Sequence, residues 1–380
     1  MEDFKDLYFL TKVDGLGSVR IKRLIDKFGS PGNVFNSTVS ELCEVENISV
    51  KTAEIIQSFK KSFLEIEREY FALLKKLEKM KIGVILLTDD DYPELLQKIY
   101  DPPVILFYMG KYEKESLANC IAIVGTRKPS DYGRHVSEMF AAELSNIGIS
   151  VVSGFARGVD SIAHKSVLDN KNSNAVTAAV FGCGVDVIYP PENKKLYERM
   201  VEQGVIISEY ELSAIPDGVN FPKRNRIISG LSHGIIIIES GIDGGAMITA
   251  RCALDQSREV FAVPGNISSK SSQGTNSLIK NSQAKLVENV DDILVEIQNK
   301  VSNLALNYQN NGKTLNSVNL DLKGNEKLIY DVILSKTEPL HIDSISEASG
   351  LNISDSLVTL LNLEFKGCVE QLPGKRFKTR

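Results

Sequence analysis

Hydrophobic positions fall at three different spacings along the 380-residue chain. Up to about residue 80 they recur every three or four positions. After a short Gly15-Leu16-Gly17 turn, Val19, Ile21, Leu24 and Ile25 take one face of a helix. The next stretch, VSELCEVENISVKTAEIIQSF, repeats that arrangement with Glu46-Asn47-Ile48-Ser49 where a second glycine turn would stand. From roughly Lys81 to Lys300 the pattern changes to short β-branched runs: IGVILLT, VILFYMG, CIAIVGT, SVVSGF, TAAVFG, GVIISEY, GIIIIES and EVFAVPG. Each ends in Gly, Pro, Ser or Thr, and segments of helical spacing such as HVSEMFAAELSNIG separate them. Runs that are apolar throughout, rather than at alternate positions, predict parallel strands buried on both faces. The expected fold is therefore α/β, a doubly wound, Rossmann-like sheet extended by an extra unit before Asn119. Residues 301–323, rich in Asn, Ser and Lys without periodicity, predict a linker. Residues 324–380 resume helical spacing and close on GCVEQLPGKRFKTR; three helices and a hairpin predict a winged helix.

Four of the predicted strands run into glycine-bearing turns: IAIVGTRKPSDYG, VVSGFARGVD, AAVFGCGVDVIYP and IIIIESGIDGGAMITA. A turn of this kind at a strand's carboxyl end exposes backbone N–H groups and opens a helix, so phosphate-sized pockets should line one sheet edge. The candidate ligands are Gly125, Thr126 and Arg127, Ser153, Gly154 and Arg157, and Gly244 and Gly245. NFPKRNRIISG adds Lys223, Arg224, Asn225 and Arg226, while Phe221 and Tyr189 offer faces on which an unpaired base could stack. That many cations exceeds what one small phosphate needs and suits a polyanionic strand. The competing expectation pairs Arg224 and Arg226 internally with Glu209, Glu211 or Glu239.

Other chemistries fit less well. GCGVDV has Val187 where a dinucleotide fingerprint needs its third glycine, and the only GKT, Gly312 to Thr314, has Asn307 in the first glycine position of a P-loop. Neither a nicotinamide or flavin cofactor nor ATP hydrolysis is expected. Ser153, Asp160 and His164 invite a hydrolase reading, but Asp and Ser at a strand-to-helix junction more often cap the helix, with His164 pairing to Asp160 along it. His135, His164, His233 and His341 form no metal-binding spacing. The five cysteines, Cys43, Cys120, Cys183, Cys252 and Cys368, are scattered without CxxC spacing and read as reduced thiols. No apolar run is of membrane-spanning length, and MEDFKDLYFL lacks the features of a signal peptide, so a soluble cytoplasmic protein is expected. A net charge of −5 argues against indiscriminate nucleic-acid binding but allows a local basic patch; in the last segment only the wing is clearly basic.

The order VGTRKPSDYG, SGFARGVDSIAH, GCGVDVIYPPEN, SEY, FPKRNRIISGLS, GAMITA, VFAVPG and GTNSLIK closely resembles the DNA-processing protein A (DprA/Smf) family across the α/β domain. The amino-terminal region (1–80) resembles a SAM-like or tandem helix-hairpin-helix module, and many family members also carry a carboxyl-terminal winged helix. The resemblance implies a non-enzymatic protein of natural transformation that binds incoming single-stranded DNA and helps load the RecA recombinase, acting as a homodimer through the Rossmann-like domain. It places the family's G-[ST]-R motif on Gly125-Thr126-Arg127 and its RNR motif on Arg224-Asn225-Arg226. ESGIDGGAMITA departs from the family's usual Ser-Gly-Ser/Ala-Leu turn but keeps small residues. Two rivals are a Rossmann-like nucleotide phosphoribohydrolase, for which Glu239 is the only acid suitably placed, and a winged-helix transcription factor with an α/β sensor domain.

Overall fold

The computed structural model describes residues 2–59, 63–171, 173–297, 300, 324–334, 339–365, 369–372 and 374–379. The chain forms two compact units, Met1–Tyr308 and Gln309–Arg380. The expected linker at 301–323 lies outside the described residues, as does Cys368.

Nine strands make one sheet: β1 (Gly83–Leu86), β2 (Ile105–Gly110), β3 (Cys120–Val124), β4 (Ser150–Ser153), β5 (Thr177–Val180), β6 (Val205–Ser208), β7 (Gly234–Ile237), β8 (Glu259–Ala262) and β9 (Lys285–Leu286). Their order is β1-β2-β6-β5-β4-β3-β7-β8-β9. From β6 across to β9 every pairing is parallel; β2 joins β6, and β1 joins β2, antiparallel. The eight strands expected from the apolar runs are present, and the antiparallel pair β1–β2 is the extra unit before Asn119. The short β9, exposed at both residues, had no apolar run to announce it.

Alternation explains why the parallel strands are apolar throughout. Cys120, Ala122 and Val124 of β3 enter the core on one face of the sheet, and Ile121 and Ile123 enter the core on the other. Ile235 and Ile237 of β7 repeat the first set, Ile236 the second. Chain order runs outward from β3 through β4 and β5 to β6, then returns to place β7 on the opposite side of β3. The topological switch point, where such folds bind ligands, therefore lies between the carboxyl ends of β3 and β7.

The amino-terminal helices Glu2–Thr11, Ser18–Phe28, Pro31–Asn36, Val39–Cys43, Val50–Phe59 and Phe63–Met80 build the two expected repeats. Leu7, Leu10, Leu24 and Ile56 share one core with Ile85, Leu106 and Ile206 of the sheet, so this module is packed on the α/β part. The second turn, unlike glycine in sequence, keeps the first turn's geometry. Gly15 has φ +75° and Asn47 has φ +66°, because Asn is among the few side chains that tolerate the left-handed region. The Leu16 N–H donates to the Val13 carbonyl at 3.0 Å, and the Ile48 N–H to the Val45 carbonyl at 3.1 Å.

The second unit holds helices Asn325–Leu334, Ile342–Ser349 and Ile353–Phe365 with strands β10 (Leu340–His341), β11 (Val369–Leu372) and β12 (Arg376–Thr379) in the order β10-β12-β11, a winged helix. Ile329, Ile345, Leu360, Leu363 and Phe377 close its own core, while Leu357 and Leu361 stay exposed. Among the described residues no helix is long and apolar enough to cross a membrane.

Candidate nucleic-acid interface

A cavity of about 680 Å3 opens at the switch point. Gly125, Thr126 and Arg127 reach it from the turn after β3, and Ser240, Gly241, Gly244 and Gly245 from the turn after β7. Its third wall is the helix Asn220–Gly230, which presents Phe221, Arg224, Asn225 and Ile228. Pro222 is tolerated there because it stands in the first turn, where no intrahelical N–H bond is required of it.

The glycine turns differ in what fills them. Glu239, at the end of β7, is buried, and its carboxylate accepts the Ser130 N–H at 2.9 Å and the Ser130 hydroxyl at 2.6 Å. A negative side chain thus already occupies the start of the helix Asp131–Asn146, where the first turn would otherwise hold an anion. After β4, Asp160 Oδ2 accepts the Gly154 and Ala156 N–H groups, each at 3.2 Å. Arg224 Nη1 donates to the Gly154 carbonyl at 2.8 Å and to the Val180 carbonyl, tying β4 and β5 to the helix Asn220–Gly230. Gly158 is required where this turn meets the one after β3: its φ is +76°, and a side chain there would run into the Thr126 carbonyl. After β5, Gly184 N–H donates to the Ala214 carbonyl at 3.0 Å, and Asp186 accepts the Ser213 N–H at 2.8 Å. The helix Gly245–Asp255, after β7, starts without a side-chain cap and faces the cavity, and Gly245 has open space before it.

The candidate residues therefore separate. Arg127 is exposed, lines the cavity and forms no ion pair among the described residues. Asn225 and Arg224 line it too, but Arg224 is only 5% exposed, its Nη1 is committed to the Gly154 and Val180 carbonyls, and its Nε donates to Asn225 Oδ1. Burial pushes the Arg224 guanidinium down to about 10, opposed by the Asp160 carboxylate, so it remains charged near neutrality. Tyr189 and Phe221 stack on each other, ring centroids 5.5 Å apart at 29°, on the cavity wall. Arg157 stands at a narrow cleft beside them, paired with Glu192.

Three expected contacts, Ser153, Lys223 and Arg226, line neither this cavity nor the cleft beside it. Ser153 is wholly buried and donates to the Ile123 carbonyl at 2.7 Å. Arg226 lies on the other side of its helix, one residue from Asn225 being about 100° of turn. There it binds Asp101 at 2.8 Å and Glu209 at 2.7 Å, as the internal-pairing alternative held for Glu209. With Lys223, which forms no ion pair among the described residues, it lines a larger cavity of about 1040 Å3. Acids and bases alternate around that cavity and largely neutralise one another, so the smaller one at the strand ends has the better chemistry for an anion. His164 does not pair with Asp160 either; its Nδ1 meets the Thr177 hydroxyl at 2.6 Å, and burial together with Arg224 drives it down to about 3. Among the described residues His164 makes no hydrogen bond to Ser153 or Asp160, so the three are not joined as a nucleophile, base and acid. The loop Pro216-Asp217-Gly218, which completes the cavity rim, escaped the sequence reading although its Pro-Asp-Gly signature marks a turn.

Fold and site define a class: a Rossmann-like protein with an uncapped helix and, among the described residues, an arginine without an ion pair at its switch point, in a chain that also carries a helical module and a winged helix. The model of the DNA recombination-mediator protein A family matches residues 83–298, that of the DprA winged helix domain residues 326–375, and that of the SAM-like helix-hairpin-helix tandem residues 7–60. The chain is 32% identical to Protein Smf of Synechocystis over 100% of both chains. It is similar to the X-ray structure of DNA processing protein A from Streptococcus pneumoniae, with 33% identity, a TM-score of 0.64, and coverage of 77% of this chain and 97% of that one. DNA processing protein A from Helicobacter pylori, described for its single-stranded DNA binding mode, is 30% identical with a TM-score of 0.51 over 58% of this chain and 97% of that one. The chain belongs to the DNA recombination-mediator protein A (DprA/Smf) family.

Proposed function

We propose that this protein binds single-stranded DNA in the cavity at its switch point, catalyses no reaction, holds no cofactor, and helps load RecA onto that strand in the cytoplasm during natural transformation. The observation that carries the reading is one cavity that combines the uncapped helix at Gly245, the unpaired Arg127 and the stacked Tyr189–Phe221 pair. The backbone N–H of Gly245, with Gly125, Thr126 and Arg127 beside it, takes the phosphates, and Asn225 fixes their register; the Gly244 N–H is already given to the Gly241 carbonyl and shapes the turn. Arg224 holds the wall in place, and Arg157 and Lys223 add charge at its margins. The homodimer belongs to the same reading; Ile267, 88% exposed in the loop after β8, is the most exposed large apolar side chain among the described residues and is the first to substitute in a sedimentation test. The phosphoribohydrolase rival is disfavoured because Glu239 is buried and engaged by Ser130.

Fluorescence anisotropy of a labelled thymidine oligomer, against a duplex of equal length, tests the reading. Tight, salt-sensitive binding of the oligomer is expected; preference for the duplex, or binding indifferent to salt, overturns it. Retention of purified RecA on strand-bound protein tests the loading step separately.

A further inference from the structure

The helix Phe63–Met80 presents apolar side chains on two opposite sides. Tyr70, Leu73 and Leu77 are buried and hold it to the amino-terminal module. On the far side Leu64 is 74% exposed and Phe71 51% exposed. Nearly two turns separate them, which sets them about 10 Å apart along the axis and almost in line. Arg68, Lys75 and Lys79 share that side, all three exposed, and form no ion pair among the described residues. Spacing is the cause. No acid stands four residues before or after any of the three, and the nearby Glu67 and Glu69 are held by Lys5 and Lys12. Glu65 and Glu78 stand at the flanks of the stripe. Lys75 and Lys79 are themselves four apart, a like-charge pair that weakens a helix until an anion lies over it.

We infer that this face docks an acidic segment of a partner protein, whose carboxylates meet Arg68, Lys75 and Lys79 while its apolar side chains cover Leu64 and Phe71. The kind of partner follows from charge complementarity and from the way cations and apolar side chains alternate. A nucleic acid would answer the cations but set sugar and phosphate against Leu64, the more exposed of the two apolar groups. A membrane surface takes a helix with a wide, continuous apolar sector, whereas here cations interrupt it. A peptide that mixes acids with aliphatic or aromatic residues satisfies both kinds of side chain at once, with Phe71 and Arg68 of the types that anchor interfaces. None of these residues lines the cavity at the switch point, so the inference stands apart from strand binding there.

The test selects random dodecapeptides displayed on phage against the full-length protein. The recovered peptides are then synthesised and titrated against wild type, Phe71→Ser and Arg68→Glu/Lys75→Glu. Phe71 packs beside Tyr70, ring centroids 5.9 Å apart, so the charge variant, which alters exposed side chains alone, decides the matter if Phe71→Ser misfolds. Peptides that combine acids with apolar residues should be recovered, bind both variants about tenfold or more weakly, and lose affinity as salt rises. Recovery of no peptide that separates the variants from wild type overturns the inference, as does separation by basic or uncharged peptides. Three further outcomes overturn it by naming another occupant. They are loss of duplex or thymidine-oligomer binding by the variants with peptide binding kept, loss of binding to phosphatidylserine vesicles with peptide binding kept, and a fall in sedimenting mass, which would assign the face to a second copy.

Discussion

The turns after β4 and β7 look alike in sequence, each a strand ending in glycine before a helix, yet they end in opposite states. After β4 the chain supplies its own carboxylate, Asp160, to the exposed amides and its own guanidinium, Arg224, to the carbonyls. After β7 neither is supplied, and the helix Gly245–Asp255 opens onto the cavity. A glycine turn is thus open to a ligand only where the protein leaves it unsatisfied. Where an acid and a base fill it, the same geometry becomes a fastening between strands.

The comparison breaks most visibly at Arg224. Arg224→Ala removes the donors from two buried carbonyls and leaves Asp160 buried without its counter-charge, which should cost about 3–5 kcal/mol of stability. Thermal unfolding followed by circular dichroism checks this. A variant as stable as wild type would mean that the filled turn is no fastening.

His164 sharpens the same side of the comparison through pH. The native protein keeps it neutral down to about 3, whereas in the unfolded chain it protonates near its ordinary value of about 6.5. Between those values the unfolded state binds the additional proton, so stability falls as pH falls. Melting temperature should decline from pH 6.5 to pH 5, and His164→Gln should show a shallower decline over that interval.

How much of this was legible beforehand depends on the kind of residue. Apolar runs such as CIAIV and GIII announced their strands because burial on both faces demands continuous hydrophobicity, whereas β9 makes its pairs with two exposed residues and leaves no such mark. Arg127 was found from the turn that carries it. Arg226 was expected beside it, with internal pairing to Glu209 as the alternative; helical rotation turns it to Glu209, 17 residues back, and to Asp101, 125 residues back, which nothing in the local spacing announced. Local spacing cannot reveal which acid will fill a turn. Asp160 comes six residues after Gly154, but Glu239 reaches Ser130 from 109 residues away.

The smallest expected effect belongs to Glu192, which holds Arg157 at the surface. Pairs this exposed are weak, so releasing the arginine should matter little. Glu192→Gln should tighten oligomer binding about twofold at low salt, and anisotropy should show no gain when Arg157 is also replaced by Ala.

The most direct measurement is the salt dependence of single-strand affinity for wild type, Arg127→Ala and Gly245→Asp, each checked for an unchanged melting temperature. Gly245→Asp gives the open turn the carboxylate that Asp160 gives the filled one, and the space before Gly245 admits it. Both variants should bind about tenfold or more weakly, and Arg127→Ala should also flatten the plot of log K against log salt by about 0.7. Wild-type affinity and slope in both folded variants would contradict the assignment of the strand to the uncapped helix.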